Sequence, residues 1–278
     1  MSSSEVVFVT GALRGIGRAV ALEFARRGHK VYGGGRSRPE DFDELPFTGL
    51  ALDVTDEESV GAAVKRIMDE CDRIDVLVNN AGLSHCGPLE ETPFDYVREV
   101  FETNYFGLLR CVNAVLPAMR NQGSGTIANI GSAAGKIGIP FQGHYSASKF
   151  ALEGLSESLR YELLEFGIRV LLIEPGDVAT DIWERTKTPV AESSPYSRSM
   201  GRFLTVKEKE MSGQATPPEE VAKDIANIIL SKTTVFRRPV AKMAGMLLFL
   251  RKILPDSVFL WAVARNYGIK QLSFLQKE

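Results

Sequence analysis

Short β-branched runs alternate with stretches of helical periodicity along most of this chain, and few folds accept that alternation. "EVVFVT" (5 to 10), "KVYGGG" (30 to 35), "GLALDV" (49 to 54), "IDVLVNN" (74 to 80), "GTIANIGS" (125 to 132) and "IRVLLIEPG" (168 to 176) read as strands. Between them lie helical segments. "GIGRAVALEFARRG" places Ile16, Val20, Leu22 and Phe24 on a buried side and stops at Gly28. "DEESVGAAVKRIMDE" opens with acids. A long helix is predicted from Pro93 to Arg120, carrying Phe94, Val97, Phe101, Tyr105, Leu108, Val112 and Val115. The expectation is an α/β fold: a Rossmann-type doubly wound parallel sheet of about seven strands, with helices on both faces. Its crossovers should be right-handed, and its ligands should bind beyond the carboxyl ends of the strands.

With 278 residues and no internal linker or repeat, one domain over 1–278 is the economical reading. After Gly176 the pattern loosens. Residues 177–216 carry Thr, Ser, Pro and Lys with weak periodicity, and a structureless segment of that length reads as a substrate lid. "PPEEVAKDIANIILS" (217 to 231) is a helix, and "TTVFRRPV" is a last edge strand on which Pro239 is tolerable.

Composition removes several function classes. A net charge of -2 gives no case for nucleic acid. Cys71, Cys86 and Cys111 are widely spaced, and the three histidines (29, 85, 144) are scattered, so no metal site is expected. Sparse, unpaired cysteines suit a reducing cytoplasm. The N-terminus lacks a basic region and a long apolar run, and no segment approaches the ~20 apolar residues of a membrane span.

"VTGALRGIG" sets Gly11, Gly15 and Gly17 between the first strand and the first helix. Glycines let the backbone approach a ligand, and a helix N-terminus offers free N–H groups to a phosphate. In a β-α-β unit this points to a dinucleotide. The second strand ends "YGGGRSR": Gly35 and Arg36 stand where an acid would hold a ribose 2′-hydroxyl. A guanidinium suits a 2′-phosphate instead, which predicts NADP(H). Arg36 could also be an ordinary surface charge. Tyr145 and Lys149 lie four residues apart in "YSASK", on one helical face. A cation there should lower the phenol from its usual pKa near ~10 toward one fit for proton transfer.

T-G-x-x-x-G-x-G, "NNAG" (79 to 82), Ser132, Y-x-x-x-K and "PG" (175 to 176) occur in that order. Together they resemble the short-chain dehydrogenase/reductase family over residues 5 to about 240, most like its hydroxysteroid and retinol dehydrogenase-like members. The resemblance implies a catalytic set of Asn104, Ser132, Tyr145 and Lys149. Ser132 would hold the substrate oxygen, Tyr145 would act as acid and base, Lys149 would reach the nicotinamide ribose, and Asn104 would support a proton-relaying water. By resemblance the cofactor would be held by Thr10, Gly11, Arg14, Gly15, Ile16, Gly17, Arg36, Asp53, Val54, Asn80, Ala81, Gly82, Tyr145, Lys149, Pro175, Gly176, Val178 and Thr180. Arg14 would join Arg36 at the 2′-phosphate, Asp53 would hold the adenine amino group, and Thr180 the carboxamide. For Asp53, capping the helix over 56–70 is the competing role.

The resemblance implies an NADP(H)-dependent oxidoreductase interconverting a lipophilic ketone or aldehyde and an alcohol. A noncatalytic NADP(H)-binding regulator is the alternative, and an isomerase or dehydratase a third reading. Pocket lining is expected from 83–90, with His85 and Cys86, and from Ile137, Ile139 and Phe141. Relatives pair through the 93–120 and 145–166 helices, so a homodimer or homotetramer is implied. The C-terminal extension (241–278) is amphipathic. Residues 225–255 hold Lys232, Arg237, Arg238, Lys242, Arg251 and Lys252 but no acid. Packing over the substrate site or against a subunit is favoured there over peripheral contact with a membrane.

Overall fold

A computed structural model describes residues 4–37, 39–181, 186, 190–213, 215–231 and 233–269. Lys232, parts of the expected lid (182–185, 187–189 and 214) and the end of the extension (270–278) lie outside the described residues.

Seven strands form one sheet: β1 (Val6–Thr10), β2 (Lys30–Gly35), β3 (Thr48–Ala51), β4 (Val76–Asn79), β5 (Gly125–Ile130), β6 (Ile168–Pro175) and β7 (Arg237–Val240). Their order is β3-β2-β1-β4-β5-β6-β7, and every pairing is parallel. The order reverses between β1 and β4, which opens a crevice at their carboxyl ends. Pro239 sits on the edge strand β7, where a missing donor breaks no ladder.

Strand alternation divides the core in two. In β1, Val6 and Phe8 join one apolar cluster, and Val7 and Val9 join the other. The first cluster takes Val60, Ala63, Val64 and Ile67 from α2 (Glu57–Cys71), and Leu108, Cys111, Val112 and Val115 from α4 (Leu108–Gln122). The second takes Val20 and Phe24 from α1 (Gly15–Arg26), and Val221, Ile225 and Ile229 from α7 (Pro218–Leu230). Each large apolar side chain so buried contributes roughly 1.5–3 kcal/mol.

Three expectations need correction. The long helix is not uniform: α3 (Phe94–Phe101) passes into α4 through a π-helical turn at Glu102–Gly107 that contains Asn104. Asp53 does not cap α2. Asp56 does, accepting from Glu58 N at 2.9 Å, while Asp53 Oδ1 accepts from Thr55 N and Oγ1. The 177–216 segment is not structureless, since α6 (Ser197–Gly213) occupies its second half.

α5 (Gly143–Glu162) carries Tyr145 and Lys149. At the C-terminus, α8 (Ala244–Ile253) and α9 (Asp256–Asn266) follow β7. Among the described residues no helix is long and apolar enough to cross a membrane.

Candidate active site

The glycine turn is built by close approach. Gly11 has φ +68, in the left-handed region. A Cβ on Gly17 would stand 2.2 Å from Asn80 Nδ2 and 2.3 Å from Gly11 O. Thr10 and Asn80 clasp the two strands at the switch point. Thr10 Oγ1 accepts from Asn80 N and Ala81 N, both at 3.0 Å, and Asn80 Nδ2 donates to Thr10 O and Gly11 O. The sharp turn then leads directly into the open N-terminus of α1, where Arg14 stands as N-cap without a side-chain cap bond.

A cleft of about 490 Å³ runs along these carboxyl ends. It is lined by Gly11, Arg14, Gly15, Ile16, Arg36, Asp53, Val54, Asn80, Ala81, Gly82 and Thr180, so it gathers most of the residues expected at a dinucleotide. Its size suits a small-molecule ligand. Arg14 Nε lies 3.8 Å from Asp181 Oδ2, an exposed pairing across the cleft. β2 ends on Gly35, and a Cβ there would come within 2.7 Å of Leu13 Cδ1. The turn of glycines, the free helix end and the cleft fit a dinucleotide.

A second cavity of about 220 Å³ shares Ile16, Asn80, Gly82 and Thr180 with the first. Pro175, Gly176 and Val178 line it from the end of β6, and Ser132, Tyr145 and Lys149 form its reactive part. Ser132 follows β5 and accepts from Ala134 N at 3.1 Å, so it is a turn serine as well. Its hydroxyl lines the same cavity as the Tyr145 phenol and favours the charged form of that phenol. Lys149 Nζ donates to Ile130 O at 2.9 Å and lies 5.8 Å from the centre of the Tyr145 ring.

The electrostatics differ from the simple expectation. Burial pushes the Tyr145 pKa up, opposed by the Ser132 hydroxyl and the Lys207 charge. Burial also pulls Lys149 down to about 8. The i,i+4 spacing brings the two side chains together, but desolvation is the largest influence on each.

Asn104 is buried and fully engaged. Its Oδ1 accepts from Leu83 N at 2.8 Å, and its Nδ2 donates to Leu83 O and to Ser148 Oγ. The π-helical turn aims it across to α5. Ser148 Oγ in turn donates to Tyr145 O at 2.7 Å, and Ser146 Oγ accepts from Ile139 N. Ser146 and Ser148 therefore act as struts around the first turn of α5.

Several site residues carried no usable sequence signal. Lys207, on α6, is buried in the second cavity and donates to Asp177 Oδ1 at 2.9 Å and Glu210 Oε2 at 2.8 Å. Tyr267, beyond α9, lines the same cavity beside it. Asp177 thus fastens α6 to the end of β6, and Arg202 Nε, donating to Gly268 O, fastens it to the C-terminal segment. Leu247 of α8 and Tyr267 line the same cavity, which agrees with packing of the extension over the substrate site. Of the apolar residues expected there, Ile139 lines the cavity, while Phe141 packs on Phe203 at 5.5 Å. Cys86 is buried, with its thiol pushed up to about 12, and His85 stacks on Tyr96.

Behind Lys149, one turn further along α5, Glu153 accepts from Lys136 and Arg237 and lies close to buried Glu174 of β6. Burial first, then the Glu153 charge, pushes Glu174 up to about 7. Folded Glu174 holds its proton more tightly than the unfolded chain. Its contribution to stability is therefore full at acid pH and is lost as pH rises from the ordinary carboxyl range through about 7. Glu174→Gln keeps the shape and removes the charge. Thermal unfolding should show Tm raised by about 2–6 °C at pH 8 and little changed at pH 5; equal shifts at both pH values would refute this.

The comparisons agree with this geometry. The family model described as short chain dehydrogenase matches residues 5–190. A 3-ketodihydrosphingosine reductase from Bacteroides thetaiotaomicron is 37% identical over 269 residues, covering 96% of this chain and 99% of that one. Human retinol dehydrogenase 8 is 34% identical, covering 85% and 81%. The crystal structure of a short-chain dehydrogenase from Streptomyces avermitilis superposes with a TM-score of 0.80 at 34% identity, covering 96% and 97%. The chain belongs to the short-chain dehydrogenase/reductase family of oxidoreductases.

Proposed function

We propose that the protein is an NADP(H)-dependent oxidoreductase that interconverts a lipophilic ketone or aldehyde and the corresponding alcohol. The observation that carries this reading is the gathering of Ser132, Tyr145 and Lys149 in one cavity that shares Ile16, Asn80, Gly82 and Thr180 with the cleft. A nicotinamide held in the cleft would supply or accept the hydride. Tyr145 gives its phenol proton to the substrate oxygen in reduction and recovers it in oxidation. Ser132 holds that oxygen as charge develops. Lys149, anchored on Ile130 O, sets a cation beside the phenol and lines the same cavity. Asn104 fixes the Leu83 backbone and, through Ser148, the first turn of α5.

A raised phenol pKa leaves Tyr145 protonated at neutral pH, which suits reduction. A purely regulatory role is disfavoured, since it gives no reason to hold Ser132, Tyr145 and Lys149 together. The names of the two relatives, a 3-ketodihydrosphingosine reductase and a retinol dehydrogenase, support the lipophilic substrate class.

The NADP(H) preference rests on Arg36 in the cleft and on Gly35, where any larger side chain would crowd Leu13. Steady-state kinetics with NADPH and NADH test it. NADPH should be favoured, and Arg36→Ala should lower kcat/KM for NADPH about tenfold to a hundredfold while sparing NADH. A wild-type preference for NADH would overturn the assignment. A homodimer or homotetramer is proposed through the helix made of α3, the π-helical turn and α4, and through α5; Phe106 of the turn and Phe150 and Tyr161 of α5 are exposed, and light scattering reads the assembly directly.

A further inference from the structure

The C-terminal helices bury only part of their apolar surface. Ala244, Phe259 and Tyr267 are buried, but Met243 is 58% exposed, Met246 51%, Phe249 60%, Ile253 55%, Leu260 51% and Trp261 38%. Met246, Phe249 and Ile253 are spaced three and four apart, so they share one face of α8. A contiguous patch of this kind, unlike scattered single residues, marks an interaction surface.

Charge identifies the partner. Lys242, Arg251, Lys252 and Arg265 border the patch, and Asp256, paired with Arg251, is the one acid within Lys242–Arg265. Arg265 lies over the Trp261 ring at 5.2 Å, so the aromatic and the cation present together. Apolar side chains rimmed by cations complement a bilayer that carries anionic headgroups. A two-fold contact between copies fits less well, because it would set this basic rim against itself.

Position adds a second argument. The opposite face of α8 carries Leu247, which lines the cavity with Ser132 and Tyr145, and Tyr267 enters the same cavity after α9. A single helix thus separates the exposed patch from the reacting groups. We propose that α8 and α9 dock on an anionic lipid surface and place the mouth of the substrate cavity against it, so that lipophilic substrate passes between bilayer and site. The purpose of this docking rests on the lipophilic-substrate reading, but the docking itself is measured without substrate.

Sedimentation of the full chain with vesicles of phosphatidylcholine containing phosphatidylglycerol tests it. The protein should pellet with these vesicles, less with phosphatidylcholine alone, and less at high salt. Phe249→Glu combined with Ile253→Glu should weaken vesicle binding at least about tenfold. The same variant should keep its NADPH-dependent rate on a water-soluble ketone and its oligomeric state by light scattering. A wild-type chain that stays in the supernatant with anionic vesicles overturns the proposal. So does a variant that still pellets, or one that splits an oligomer the wild type forms through this face. Vesicle binding without turnover on any lipophilic carbonyl would sink the functional reading and leave the docking standing.

Discussion

Tyr145→Phe should lower kcat by about 10³-fold, within the range that a positioned general acid supplies, while NADPH affinity stays within about twofold. The substitution removes one oxygen and keeps the ring that packs in the cavity. The missing hydroxyl is the one that shares the cavity with Ser132, so the substrate oxygen would lose its proton source and part of its polar frame. Ser132 remains capped to Ala134 N, and Lys149 remains on Ile130 O, so the surrounding geometry has little reason to move. Single-turnover reduction with a lipophilic ketone panel measures kcat, and quenching of protein fluorescence by NADPH measures binding. Residual turnover above about a tenth of wild type would remove Tyr145 from the role of acid, since a lost general acid costs far more than that. A parallel loss of NADPH binding would instead mark the change as structural.

The scaffold was legible because its signals are local. β-branched runs, helical periodicity and the glycine turn each act within a few residues, and they place the strand ends where the cleft forms. The motif residues Gly11, Asn80, Ser132, Tyr145 and Lys149 then meet at those ends as expected. What escaped depends on contacts distant in sequence. α6 has weak periodicity because one of its buried positions is Lys207, whose cation is satisfied by Glu210 on the same helix and by Asp177, thirty residues earlier in the chain. No local pattern announces a buried lysine of that kind. The Tyr145 shift escaped for a similar reason. Spacing shows which charge is near, but the depth of burial decides the sign, and depth is set by the whole fold. Asp53 and Asp56 both precede α2 closely enough to cap it, and only backbone geometry separates them. In the extension, an amphipathic pattern shows that one face is apolar without showing what covers it. Leu247 faces the cavity, whereas Phe249 and Ile253 face outward.

Gly17→Ala should weaken NADPH binding at least about a hundredfold and lower Tm by several degrees, although it adds one methyl group. In an ordinary exposed helix position the same change stabilises by roughly 0.5–1 kcal/mol. At Gly17 the new Cβ would sit 2.2 Å from Asn80 Nδ2 and 2.3 Å from Gly11 O. The first contact breaks the Asn80 clasp on Thr10 O and Gly11 O, which joins β1 to β4. The second meets backbone, which cannot rotate away as a side chain can. Gly11 itself is held at φ +68, a conformation that only the intact turn maintains. Relief therefore requires α1 to withdraw from the turn, and its free N–H groups would leave the place where a phosphate is held. Gly154→Ala is the matched control: it lies in α5, and its Cβ would meet nothing within 4 Å. That variant should bind NADPH as the wild type does and melt at an equal or higher temperature. Calorimetric titration of both variants separates the cases, and equal NADPH affinity in Gly17→Ala and Gly154→Ala would show that the turn tolerates a side chain its geometry has no room for.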